Sequence, residues 1–99
     1  MKMKSENGSN PTISYDHELL TITMEECAEV IQACSKIIRY GMESEYGGKT
    51  ARETLEKELG ELQCMIELLH ENDTVSYTAM DEYSLEKREK LKKWSNLIE

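Results

Sequence analysis

The sequence predicts an all-α fold: two long antiparallel helices, a shorter C-terminal helix, and a four-helix-type core completed by a second copy of the chain. Three observations carry that expectation. Apolar residues recur at three- and four-residue steps over two long stretches, the period of a helix with one buried face. No segment alternates apolar and polar residues long enough to make a strand. A 99-residue chain buries too little surface for a comfortable core of its own, so two long helices and a short one are expected to pair with a partner copy.

The elements follow in order. Residues 1–14 are polar, contain the one proline, and are expected to form a flexible arm, leaving residues 15–99 as a single helical domain. From about Asp16 to Tyr40, the stripe Leu20, Thr23, Cys27, Val30, Ile31, Cys34 and Ile38 marks the first helix, and Gly41 is placed to end it. MESEYGGK (42–49) is a loop with a glycine pair. Thr50 stands three residues before Glu53, the spacing of a capping box. It opens a second helix with the stripe Leu55, Leu59, Leu62, Ile66 and Leu69, which frays near Glu71-Asn72-Asp73. Residues 74–83 are a polar connection, and a last helix runs from about Ser84 to Ile98 with Leu91, Trp94 and Ile98 on its apolar side.

Composition narrows the function. The net charge of −8 opposes nucleic-acid binding, which needs clustered cations on the phosphates. A small phosphorylated ligand remains compatible when a divalent cation bridges the two negative charges. Cys27, Cys34 and Cys64 are odd in number and lack C-x-x-C pairing, so they are expected as reduced core residues of a cytoplasmic protein. No apolar run reaches membrane-spanning length and no signal peptide is visible.

The acids carry the chemistry. Glu26 and Glu29 are three apart on one helix face, in a row continued by Ala33, Lys36 and Tyr40. Glu58 and Glu61 repeat the arrangement on the second helix, in a row continued by Met65 and Leu68. Both rows flank an apolar stripe, so packing the two helices brings four carboxylates toward one seam. Their mutual repulsion favours a hard divalent cation with oxygen ligands, such as Mg²⁺, whose remaining waters give way to phosphate oxygens. Gly60, beside Glu61, is placed where a partner helix or ligand can come close.

The words EECAEVIQACSKIIRYG and LEKELGELQCMIELL hold Glu25-Glu26-x-x-Glu29 and Glu58-x-x-Glu61, separated by 28 residues. Together they resemble the E-E-x-x-E … E-x-x-D signature of the MazG-like all-α nucleoside triphosphate pyrophosphohydrolases, particularly the short, phage-type members. The likeness covers residues 19–70, and the C-terminal helix follows it only loosely. The family's last acid is usually aspartate; Glu61 keeps the charge but moves the oxygens outward by about a bond length. The resemblance implies hydrolysis of a (d)NTP to the monophosphate and pyrophosphate in nucleotide-pool cleaning or remodelling. It implies Mg²⁺, with Mn²⁺ as a substitute, on Glu26, Glu29, Glu58 and Glu61, and Glu25 as a water-orienting acid. Lys36, Arg39, Lys49 and Arg52 are candidate phosphate contacts, and Tyr40 and Tyr46 candidate base contacts; Trp94 fits the core better. The chain is expected as a homodimer or dimer of dimers, free of nucleic acid and membrane.

Two other readings compete. Glu67-x-x-His70 matches the motif of carboxylate-bridged di-iron bundles, but lies on the outer side of its helix, where His70 suits the C-terminal dipole. A helical dimer that binds a nucleotide or protein without turnover is the non-enzymatic alternative.

Overall fold

A computed structural model describes residues 14–99. The all-α expectation holds at the level of secondary structure, with a small β-hairpin added. The elements are α1 (Tyr15–Tyr40), β1 (Glu45–Tyr46), β2 (Lys49–Thr50), α2 (Ala51–Glu71) and α3 (Tyr77–Trp94). No helix among the described residues is long and apolar enough to cross a membrane. The arm expected over residues 1–14 lies outside the described residues except for Ser14.

The chain divides into two compact units, up to Leu68 and from Leu69 onward. In the first, the Ser14 hydroxyl caps α1 by accepting from the His17 N–H at 3.1 Å. Gly41 ends α1 at φ +95°, with its N–H donating to the Ile37 carbonyl. The loop expected at 42–49 is a hairpin in which Glu45 pairs with Thr50 and Tyr46 with Lys49. Gly47 and Gly48 make its two-residue turn at φ +61° and +84°, a primed geometry that only glycine adopts cheaply at both positions. The capping box closes as its spacing predicts. The Glu53 N–H donates to Thr50 Oγ1 at 3.1 Å, and the Thr50 N–H donates to Glu53 Oε1 at 2.9 Å.

Helix α1 turns a different face inward from the one its apolar stripe predicts. On α2, by contrast, four of the five stripe residues, Leu55, Leu62, Ile66 and Leu69, are buried or half-buried as expected. On α1 the buried residues are Leu19 and Ala33, with Ile22, Glu26, Val30 and Ile37 half-buried between and after them. Of the predicted stripe, Leu20, Cys27, Ile31, Cys34 and Ile38 are exposed, Ile31 to 69% and Ile38 to 85%. At about 100° per residue, the inward face lies roughly a third of a turn round from the stripe. On α2, Glu58 and Met65 are also buried while Leu59 is exposed. Of the acid rows expected at the edge of the seam, Glu26 and Glu58 turn into it, while Glu29 and Glu61 are exposed. All three cysteines are exposed free thiols, not core residues.

The second unit begins with the last residues of α2. The Thr74 N–H donates to the Leu69 carbonyl at 2.9 Å and the Asp73 N–H to His70 at 3.0 Å, with Asp73 at φ +60°. Helix α3 starts seven residues before the predicted Ser84, because Ser76 caps it by accepting from the Ala79 N–H. The His70 ring stacks on Tyr77 with centroids 3.8 Å apart. Trp94, expected in the core, is 83% exposed.

The capping box yields a measurable expectation. Thr50→Ala should lower stability by about 1 kcal/mol in urea unfolding. The two Thr50 hydrogen bonds, more than the Lys49 charge, hold the Glu53 carboxyl below its ordinary value. A folded pKa below the unfolded one gives stability that is present above the unfolded pKa and lost as pH falls through the folded value. Glu53→Gln should therefore be less stable than wild type at neutral pH, with the gap closing at acid pH.

Candidate metal centre

The inward faces of α1 and α2 bring carboxylates from both helices to one point. One oxygen each of Glu26, Glu58 and Glu61 lies within 4.8 Å of the others, the group among the described residues best arranged to hold a cation. Glu58 is 7% exposed, the one buried charged residue among those described. Glu26 Oε2 is fully buried and has no hydrogen-bond partner. A buried carboxylate oxygen left unpaired is costly, so this arrangement selects for something positive beside it.

Part of that charge comes from Lys57, a residue the spacing of the acids alone does not single out. Its ammonium lies 3.0 Å from Glu61 and 3.4 Å from Glu58. The signal was present in the sequence as a Lys–Glu pair four residues apart, a spacing shared with many solvated helix faces. Lys57 is itself half-exposed, so water screens the pairs and each contributes little.

The titration behaviour follows from this geometry. The Glu26 carboxyl is pushed above its ordinary value by burial first, then by the Glu61 carboxyl facing it and by the charges of Glu58 and Glu29. Glu61 is held below its ordinary value mainly by its hydrogen bond from Lys57. The same contact raises the Lys57 ammonium. Of Glu26 and Glu61, Glu26 therefore takes up a proton first.

The donor set suits Mg²⁺ or Mn²⁺: three carboxylates, no sulfur and no imidazole. Octahedral Mg²⁺ with oxygens at ~2.1 Å places its ligands roughly 3 to 4.2 Å apart, so small side-chain rotations close the observed spacing. Glu25 and Glu29, grouped with these acids on sequence, are exposed on α1 and outside the cluster. Glu29 still acts on Glu26 through its charge. Glu67 and His70 are also outside it, and His70 is held against Tyr77.

The predicted phosphate and base contacts divide in the same way. Lys36, Arg39, Tyr40 and Lys49 line one cleft of about 560 Å³ at the hairpin end of the first unit, together with Tyr46. Arg52 is not among its lining residues; it is paired with Glu43 at 3.0 Å. A Cβ at Gly60 would meet nothing within 4 Å, so packing within the chain does not require glycine there.

No protein-family model, curated protein or solved structure matches this chain.

The cluster makes a stability prediction. A ligand that binds only the folded state stabilises it, so Mg²⁺ should raise the melting temperature above that in EDTA. Glu26→Gln should be at least as stable as wild type in EDTA, since it removes a crowded, unpartnered acid, and should lose most of the Mg²⁺-dependent rise. An equal rise in both proteins would place the metal elsewhere.

Proposed function

We propose that this protein is a Mg²⁺-dependent nucleoside triphosphate pyrophosphohydrolase, converting a (d)NTP and water to the (d)NMP and pyrophosphate. Its role would be cleaning or remodelling the nucleotide pool of the cytoplasm. The observation that carries the reading is the convergence of Glu26, Glu58 and Glu61 across two helices, with one oxygen buried and unpartnered. Their order in E-E-x-x-E … E-x-x-E, resembling the MazG-like signature, adds the reaction class.

Glu26, Glu58 and Glu61 would hold the metal. The chemistry Mg²⁺ supplies in such a site is neutralisation of triphosphate charge and a lowered pKa for water. The chain's own residues supply the rest. Glu29 is exposed one helical turn beyond Glu26, where its carboxylate can take up the proton of an attacking water. Glu25, also exposed, can orient that water. Lys36 and Arg39 stand roughly three to four turns beyond Glu26 on α1, and Lys49 on β2 just before α2, placed to carry phosphate charge.

A second reading is favoured by Lys57. Its ammonium already compensates Glu58 and Glu61, so the cluster has an internal cation, and the protein would then be a nucleotide-binding helical dimer without turnover. Pyrophosphate release from a panel of dNTPs and NTPs, with and without Mg²⁺, decides between them. The hydrolase reading expects Mg²⁺-dependent release lost by at least a hundredfold in Glu58→Gln, about the loss of ~3 kcal/mol of transition-state stabilisation. Absence of release from every nucleotide at micromolar enzyme leaves the binding protein.

The same proposal includes a second copy of the chain. Leu20, Met24, Cys27, Ile31, Cys34 and Ile38 form an exposed apolar heptad stripe on α1. Every acid of α1 (Asp16, Glu18, Glu25, Glu26 and Glu29) lies in its first part, and Lys36 and Arg39 lie in its last part. A heptad stripe of this kind is the surface that a second copy of the same helix packs against, knobs into holes. The occupant this face fits is therefore another α1. Ile31→Glu should convert a dimer to monomer by light scattering; a monomeric wild type at high micromolar concentration would defeat the idea.

A further inference from the structure

We propose that the cleft at the hairpin end of the first unit is a nucleoside-phosphate subsite that holds the base by stacking on Tyr46, with Lys36 and Lys49 on the adjoining phosphate. The proposal rests on the nucleotide reading above and names the part of the site that holds the nucleoside.

The cleft is an electropositive spot on an acidic chain. Its lining has three cations, Lys36, Arg39 and Lys49, against one acid, Glu45. Its volume of about 560 Å³ falls in the range of small-ligand sites. Tyr46 projects from the hairpin, held by the tight Gly47-Gly48 turn, and is 88% exposed among the described residues. The Lys36 ammonium lies over its ring, 5.9 Å from the centroid. That is the outer limit of a cation–π contact, so a flat aromatic ligand displaces it at small cost. The Arg39 guanidinium lies over Tyr40 at 5.1 Å and is already committed. Lys36 and Lys49 are thus the cations left to meet an anion.

Placement relative to the acids fixes the orientation. Ala33 follows Glu26 by seven residues on α1, roughly 10 Å at 1.5 Å per residue, and Thr54 precedes Glu58 by four on α2, roughly 6 Å. Cleft and acidic cluster therefore occupy neighbouring stretches of one inter-helix seam. Lys36 lies nearer the acids along α1 than Tyr40 does. A nucleotide with its phosphates toward the cluster puts its base at the hairpin, where both tyrosines are. Stacking uses the π-face that every base has, so the expected selectivity among bases is weak.

The test is equilibrium binding by calorimetry to the full chain in EDTA, which keeps the acidic cluster metal-free. The probes are nucleoside 5′-monophosphates of each base and ribose 5-phosphate. Monophosphates should bind with affinities within a few-fold of one another and tighter than ribose 5-phosphate. Tyr46→Ala should weaken them roughly tenfold while leaving ribose 5-phosphate unchanged, and Tyr46→Phe should restore binding. Lys36→Ala should weaken all probes. Failure of monophosphates to bind at millimolar concentration overturns the proposal. So does a Tyr46→Ala variant that binds as wild type, or ribose 5-phosphate binding as tightly as the monophosphates. The two readings fail separately: Tyr46-dependent binding without pyrophosphate release sinks the hydrolase alone, while turnover with unchanged kcat/KM in Tyr46→Ala sinks the subsite alone.

Discussion

The first unit is organised around a buried negative charge. Glu58 sits in the seam between α1 and α2, and Glu26 reaches it from the other side with one oxygen unpartnered. Burial first, and then the facing Glu61 carboxyl, raises Glu26, while the hydrogen bond from Lys57 lowers Glu61. Small residues such as Ala33 share the seam with these acids. A seam built this way gives up apolar contact to keep a charged group, a trade expected of a functional site more than of a structural one.

The hairpin extends the consequence along the same pair of helices. Its two-residue glycine turn brings the chain back from the end of α1 to the start of α2 and fixes Tyr46 and Lys49 over the seam. Acids lie in the middle of the helices, and cations with aromatics line the cleft at their joined ends. The proposed nucleotide would use both.

With Glu26 and Glu58 on the inner face, a second apolar face of α1 is left outside. The buried apolar residues are few, namely Leu19, Ala33, Met65 and Leu69, while Met24, Ile31 and Ile38 stand in solvent. Exposed apolar surface organised as a heptad stripe is the observation behind the proposed pairing with a second copy.

The sequence by itself determined where the helices run and how they stop. Gly41, the Thr50–Glu53 capping box and the 3.6-residue period are local signals, each satisfied by neighbouring backbone, and they hold. The paired Glu-x-x-Glu rows named four acids, of which three, Glu26, Glu58 and Glu61, meet and the fourth, Glu29, does not. Other features were not legible. The early start of α3 rests on one serine cap in a polar stretch, and the neutralising Lys57 has the spacing of an ordinary surface pair. Above all, periodicity says which residues share a face and not which face turns inward. On α1 two apolar faces were candidates, the heptad stripe and the face of Leu19, Ile22, Val30 and Ile37 that also carries Glu26, and tertiary packing decided for the second. The physical reason is that burial depends on what the opposite helix presents: the α1 face with Glu26 meets the α2 face with Glu58 and Met65.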